Sequence, residues 1–186
     1  MKKFVTFLTI FRIIASPVIF ISLLYLELKL FTLVLFIIAA LTDFLDGYLA
    51  RLFNVESEIG EILDPIADKI LLVSTLLSIT LYFQSSFIGF ISILLISREF
   101  WVSALRIGAS SSKKPEDLSV TYLAKLKTTT QFGSLTLYFF SIQQNFALGI
   151  LLADFVLFLS LLISIKTGID YTKKFFQPRQ TPKHIN

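Results

Sequence analysis

Four aspartates carry the clearest chemical signal in this sequence. The stretch reads Asp43-Phe-Leu-Asp46-Gly47-Tyr-Leu-Ala50-Arg51, then eight residues, then Gly60-Glu-Ile-Leu-Asp64-Pro-Ile-Ala-Asp68. At about 100° per residue, Asp43, Asp46, Gly47, Ala50 and Arg51 share one face of a helix. Asp64 and Asp68, four apart, share a face of the next. A short connection, Leu52–Ile59, makes the two helices antiparallel neighbours, so the acidic faces are expected to meet. Four carboxylates converging in apolar surroundings repel one another unless compensated. Two divalent cations would cancel that charge. Oxygen-only ligands suit Mg²⁺ or Mn²⁺ and argue against zinc. Paired cations of this kind fit phosphoryl transfer, where they hold phosphate oxygens and stabilise entering and leaving groups.

The residues between the aspartates fit the same chemistry. Gly47 and Ala50 leave a shallow trough in which a nucleotide can lie close to the backbone. Arg51 can hold a diphosphate through two parallel hydrogen bonds. Small residues also serve plain helix packing in membranes, but here they are interleaved with Asp43, Asp46 and Arg51. The alternative for the aspartates is a proton relay or cation path. It is disfavoured because the segment has no inverted repeat of the kind transporters show.

The elements that must position these residues are hydrophobic helices. Of the 186 residues 55% are hydrophobic, 20 are Phe and only 16% are charged. Soluble domains run nearer ~45–50% apolar and ~25% charged. The apolar excess falls in blocks of about the ~20 residues a spanning helix needs: Phe4–Leu26, Leu28–Leu52, Ile62–Phe83, Phe87–Ile107, Tyr122–Ile142 and Phe146–Thr167. None alternates in the manner of barrel strands. The fold class expected is therefore all-α, a polytopic membrane protein with six transmembrane helices. Residues 1–176 form one membrane domain, and residues 177–186 are a polar, mobile tail holding the lone histidine, His184.

Charge placement sets the orientation. Six spans put both termini on one side, and 16 of the 17 Lys and Arg residues fall on or near that side; the exception is Lys29. Positive residues mark the cytoplasmic face, so both termini are expected in the cytoplasm. The net charge of +4 is thus accounted for without nucleic acid. Met1-Lys2-Lys3 imitates the basic start of a signal peptide, but Arg12 breaks the apolar run, so the first helix is expected to be a retained span. The sequence contains no cysteine, which excludes disulfides and thiol chemistry.

The stretch from Asp43 to Asp68 resembles the signature of the CDP-alcohol phosphotransferase family, D-x2-D-G-x2-A-R-x8-G-x3-D-x3-D. All eight fixed positions match within 26 residues. The resemblance implies that Asp43, Asp46 and Asp64 bind metal, and that Asp68 joins the second metal or acts as base on the acceptor hydroxyl. It also implies that Asp46, Gly47, Ala50, Arg51 and Gly60 line the site for a CDP-linked lipid, and that the protein is a homodimer. Ser97–Arg106 resembles the fourth-helix segment of the family's phosphatidylglycerophosphate-forming branch. Lys125-Leu126-Lys127-Thr128 with Gln131 is similar to that branch's fifth-helix motif, and Leu8-Thr9-Ile10-Phe11-Arg12 to its N-terminal one. Two positions depart from the pattern: Val5-Thr6 stands where Pro-Asn is usual, and Ala124 where Gly is usual. The implied reaction joins CDP-diacylglycerol and glycerol 3-phosphate to give phosphatidylglycerophosphate and CMP, at the cytoplasmic face of a bacterial inner membrane. Within the family, an inositol-phosphate or serine acceptor is the alternative.

Elementary physics favours a phosphorylated acceptor. Arg98 and Arg106 are eight residues apart, about 80° around a helix, so both can address one cavity. With Lys125 or Lys127 they make a cationic pocket suited to a phosphate monoester. Lys125 and Lys127 differ by about 200°, so one of them points inward. Glu99 lies about 100° from Arg98 and is not expected to pair with it. Asp154, within the last apolar run, must pair with another helix or reach the outer interface.

Overall fold

In a computed structural model the chain forms six helices: α1 (Lys2–Leu24), α2 (Lys29–Phe53), α3 (Glu58–Phe83), α4 (Ser86–Ser111), α5 (Tyr122–Gln144) and α6 (Ala147–Phe176). The structure describes the backbone of residues 2–53, 58–111 and 121–177 and the side chains of residues 6–42, 63–109 and 121–177. No strand occurs among the described residues. Helices are what such runs must form in hydrocarbon, because a helix satisfies its backbone groups internally. α6 continues past the expected Thr167 to Phe176, and Lys173 and Lys174 in its last turn favour the negative end of the helix dipole. The tail beyond Gln177, with His184, lies outside the described residues.

The tight turns after α1, α3 and α5 share one device. Each contains a non-glycine residue in the left-handed region: Glu27 (φ 53°), Gln84 (φ 48°) and Asn145 (φ 51°). That conformation costs about 1–2 kcal/mol for an L-residue. It also folds backbone N–H groups onto the orphan carbonyls of the last turn. Thus the N–H of Asn145 and that of Phe146 both reach the Ser141 carbonyl, the latter at 2.9 Å.

Pairwise packing closes a ring in the order α1, α2, α5, α6, α4, α3 and back to α1, with α3 also touching α5 across it. Inside, Phe36 of α2 meets Phe139 and Phe132 of α5 at centroid distances of 5.0 and 6.0 Å. Outside, Phe31, Phe90, Ile93, Leu151 and Phe155 are exposed, as a lipid-facing surface requires. Gly149 sets the approach of α6 to α5. A Cβ there would lie 2.3 Å from Ser141 Oγ and 2.5 Å from Phe146 Cδ1, so any larger residue pushes the helices apart.

Four helices are long and apolar enough to cross a membrane among the described residues: Thr6–Leu24, Leu63–Phe83, Ser86–Ala109 and Ala147–Phe176. The described apolar part of α2, Lys29–Thr42, is shorter. α5 falls short in composition for a physical reason. Its polar residues Lys127, Gln131, Ser134 and Ser141 are buried, so it is polar on the side turned into the protein. Ser134 donates to the Ala153 carbonyl of α6 at 2.9 Å. Asp154 takes the first of its two expected options, accepting a hydrogen bond from the buried Tyr138 hydroxyl of α5.

Candidate active site

α1 organises the acidic end of α3. Thr9 and Arg12, three residues apart, lie on one face of α1, and both are fully buried. The Thr9 hydroxyl donates to Asp64 Oδ1. Arg12 Nη2 reaches the same oxygen at 3.3 Å, and Arg12 Nη1 donates to Asp68 Oδ1. One planar guanidinium therefore spans two carboxylates a helical turn apart, a geometry a lysine cannot reproduce. Sequence reasoning took Arg12 as an interruption of an apolar run and as the end of the Leu8–Arg12 motif, not as a partner of the aspartates. The signal was present: a cation inside such a run needs an anionic partner or water.

Asp64 and Asp68 retain contact with solvent, at 35% and 45% side-chain exposure. Both described bonds to Asp64 fall on Oδ1. Asp64 and Asp68 are hard oxygen donors on one face, held by Thr9 and Arg12; among the described residues no third acidic or histidine side chain joins them in a metal-holding group. Asp43, Asp46, Gly47, Ala50 and Arg51 belong to α2 and Gly60 to α3, but their side chains lie outside the described residues. The expected meeting of the two acidic faces lies there too.

Asp68 also lines a cavity of about 220 Å³ walled by α3, α4 and α5. Its charged lining is Asp68, Lys69, Arg98, Glu99, Arg106 and Lys127. Four cations stand against two carboxylates, an excess of two positive charges. Lys127, buried, faces the cavity; Lys125 is exposed and does not line it. This settles which of the two alternating lysines points inward.

The two arginines are held differently. Arg98 Nε donates to the Ser164 carbonyl at 2.9 Å and Nη2 to Thr167 Oγ1 at 2.6 Å. Gly168 makes room for it: a Cβ there would sit 3.3 Å from Arg98 Cγ. Arg98 Nη1 donates to Glu99 Oε1 at 3.1 Å, and Lys127 Nζ donates to the same oxygen. The expectation that Glu99 would not pair with Arg98 is therefore wrong. The angle between Cα–Cβ bonds is about 100°, but two long side chains bend toward a shared neighbour, and Lys127 supplies a second reason to meet. Arg106 is exposed; its Nη2 contacts the Tyr171 hydroxyl at 3.3 Å and its guanidinium lies 5.2 Å from that ring's centroid. Arg98 is thus anchored, and Arg106 keeps most of its donors toward open space.

Five polar residues of the cavity lining were not named as site residues from the sequence: Lys69, Glu99, Ser103, Thr128 and Gln131. Gln131 is 1% exposed, and its amide nitrogen has no hydrogen-bond partner. An unsatisfied buried donor of this kind costs about 1–3 kcal/mol.

Comparison with known proteins supplies a family. The family model described as CDP-alcohol phosphatidyltransferase matches residues 4–167. A protein of Cereibacter sphaeroides named CDP-diacylglycerol–glycerol-3-phosphate 3-phosphatidyltransferase is 44% identical over 138 residues, covering 71% of this chain and 61% of that protein. The match therefore spans less than two thirds of that relative. Proteins of the same name from Wigglesworthia glossinidia brevipalpis and Haemophilus influenzae are 43% and 39% identical, over 68% and 69% of this chain and 70% and 71% of theirs.

Proposed function

Because the chain belongs to the CDP-alcohol phosphatidyltransferase family, we propose that it transfers the phosphatidyl group of CDP-diacylglycerol to glycerol 3-phosphate, releasing CMP. The observation that carries the acceptor is the cavity's excess of two positive charges, with Asp68 on its wall. A phosphate monoester is close to a dianion near neutral pH and matches that excess; a serine or another zwitterion does not. The names of the relatives agree with this acceptor.

Arg106 and Lys127 grip the acceptor phosphate, and Arg98 completes the cationic wall with the donors that α6 and Glu99 leave unused. The acceptor hydroxyl meets Asp68, since Glu99 is committed to Arg98 and Lys127. Asp68 orients that hydroxyl and takes its proton as the oxygen attacks the phosphorus bearing diacylglycerol. The bond from that phosphorus to the CMP oxygen breaks, and CMP departs. Gly47, Ala50, Arg51 and Gly60 hold the CDP moiety. Asp43, Asp46, Asp64 and Asp68 would hold two divalent cations, Mg²⁺ or Mn²⁺, which when bound neutralise phosphate charge. Arg12 and Thr9 keep Asp64 and Asp68 aimed.

The apolar helices and bacterial relatives support a multi-pass protein of the bacterial inner membrane. In this reading all six helices span, both termini and the active site face the cytoplasm, and the protein is a homodimer. The test is CMP release by purified protein in detergent. We expect release to require CDP-diacylglycerol, glycerol 3-phosphate and Mg²⁺ or Mn²⁺, and to stop in chelator. Release with inositol phosphate or serine and none with glycerol 3-phosphate would overturn the acceptor. Full activity in chelator would overturn the metal reading.

A further inference from the structure

Two serines on α6 break a rule that the rest of the molecule keeps. Ser160 and Ser164 are fully buried, and neither hydroxyl has a hydrogen-bond partner. Every other buried serine or threonine among the described residues has one. Ser16, Thr75 and Ser141, for instance, donate to the carbonyl four residues back at 2.7, 2.6 and 2.6 Å. On α5 the amide nitrogen of Gln131 is also unpaired, and it is shut off from solvent. That nitrogen therefore serves something other than the cavity that Gln131 lines.

The packing register brings the three groups together. α5 and α6 run antiparallel, with Ser134 on the Ala153 carbonyl and Tyr138 on Asp154. Lys127 and Arg98 share Glu99 Oε1, and Arg98 Nε reaches the Ser164 carbonyl. Lys127 and Ser164 therefore stand at one level. One helical turn further in, Gln131 follows Lys127 on α5 and Ser160 precedes Ser164 on α6, each on the buried face of its helix.

We propose that Gln131, Ser160 and Ser164 enclose a binding site for an ordered water between α5 and α6, behind the acceptor cavity and independent of which acceptor the enzyme takes. Buried waters ordinarily make about three hydrogen bonds, to polar groups that would otherwise lack them. An amide N–H donates, and a serine hydroxyl both donates and accepts, so the three groups supply a full set. The serines are also small beside Leu157 and Leu161, which fill the neighbouring positions of this buried face, and so leave the room a water needs. A water held here ties α5 to α6 in the turn next to Arg98, whose anchors on α6 are Ser164 and Thr167.

The test is the sign of a stability change. Ser160→Ala and Ser164→Ala are compared with wild type by thermal melting in detergent. Alanine in place of a hydroxyl that lacks a partner relieves a cost and raises Tm. Alanine in place of a hydroxyl that holds a water leaves the other groups short of a partner, and we expect Tm to fall by about 2–4 °C for each. In a Gln131→Leu background the same changes should cost less than half as much, because the shared water is already lost. Gln131→Met repeats the cycle if the Leu variant does not fold. A rise or no change in Tm for either serine variant overturns the three-group site. So do losses that add fully to that of the Gln131 variant, the mark of separate bonds. A high-resolution experimental structure of the wild type then distinguishes water from direct contact. Density for a water within hydrogen-bond reach of Gln131 Nε2 and a serine hydroxyl is expected, and a direct bond from Gln131 to Ser160 with no such density overturns the proposal.

Discussion

Arg12 offers the sharpest test of how the acidic site is built. Replacing it with Leu keeps an apolar side chain of fair size on a fully buried face of α1 but removes the cation that joins Asp64 and Asp68. Breaking a buried ion pair costs about 3–5 kcal/mol. Here the carboxylates are 35% and 45% exposed, so water recovers part of that loss, and about 2 kcal/mol is the working figure. For a chain of 186 residues this lowers Tm by about 4–8 °C. Arg12→Lys should recover less than half, because a single ammonium cannot span two carboxylates. The loss of the guanidinium shared by Asp64 and Asp68 in Arg12→Leu also makes a sharper prediction. Millimolar Mg²⁺ should raise the melting temperature of the variant more than that of the wild type. The assay is thermal melting of purified protein in detergent, with and without Mg²⁺, alongside CMP release. Turnover should fall on the order of 10–100-fold as Asp68 loses its aim. Wild-type melting and wild-type turnover in Arg12→Leu would refute the idea that this guanidinium organises the site.

Two further perturbations separate roles that share a cavity. Arg106→Lys should raise the KM for glycerol 3-phosphate about 10-fold, or ~1.4 kcal/mol, with little change in the KM for CDP-diacylglycerol. Arg98→Lys should add a loss of thermal stability, because three of its nitrogens bond Ser164, Thr167 and Glu99; equal melting of the two variants would count against that distinction. Orientation is checked in this cysteine-free chain by impermeant thiol labelling of intact cells: Gln84→Cys should react from outside, and Ser111→Cys only after lysis.

The helical class and the spacing of the aspartates are local properties, and the sequence determined them. Runs of about 20 apolar residues in hydrocarbon have no stable form but the helix. Spacings of four and eight put Asp64 beside Asp68 and Arg98 near the face of Arg106 whatever the helices pack against. Helical periodicity says which residues share a face. It does not say which neighbour that face meets. Lys125 and Lys127 point to opposite sides, and only the seating of α5 in the ring turned Lys127 inward. Glu99 became a partner of Arg98 because Lys127, 28 residues away, arrives at the same oxygen. Arg12 found Asp64 and Asp68 across 52 and 56 residues of chain. Gln131 is informative only because nothing around it bonds its amide nitrogen, which no spacing can reveal. In each case tertiary packing made the choice, because the free energy of a buried polar group depends on the partner brought to it by another helix.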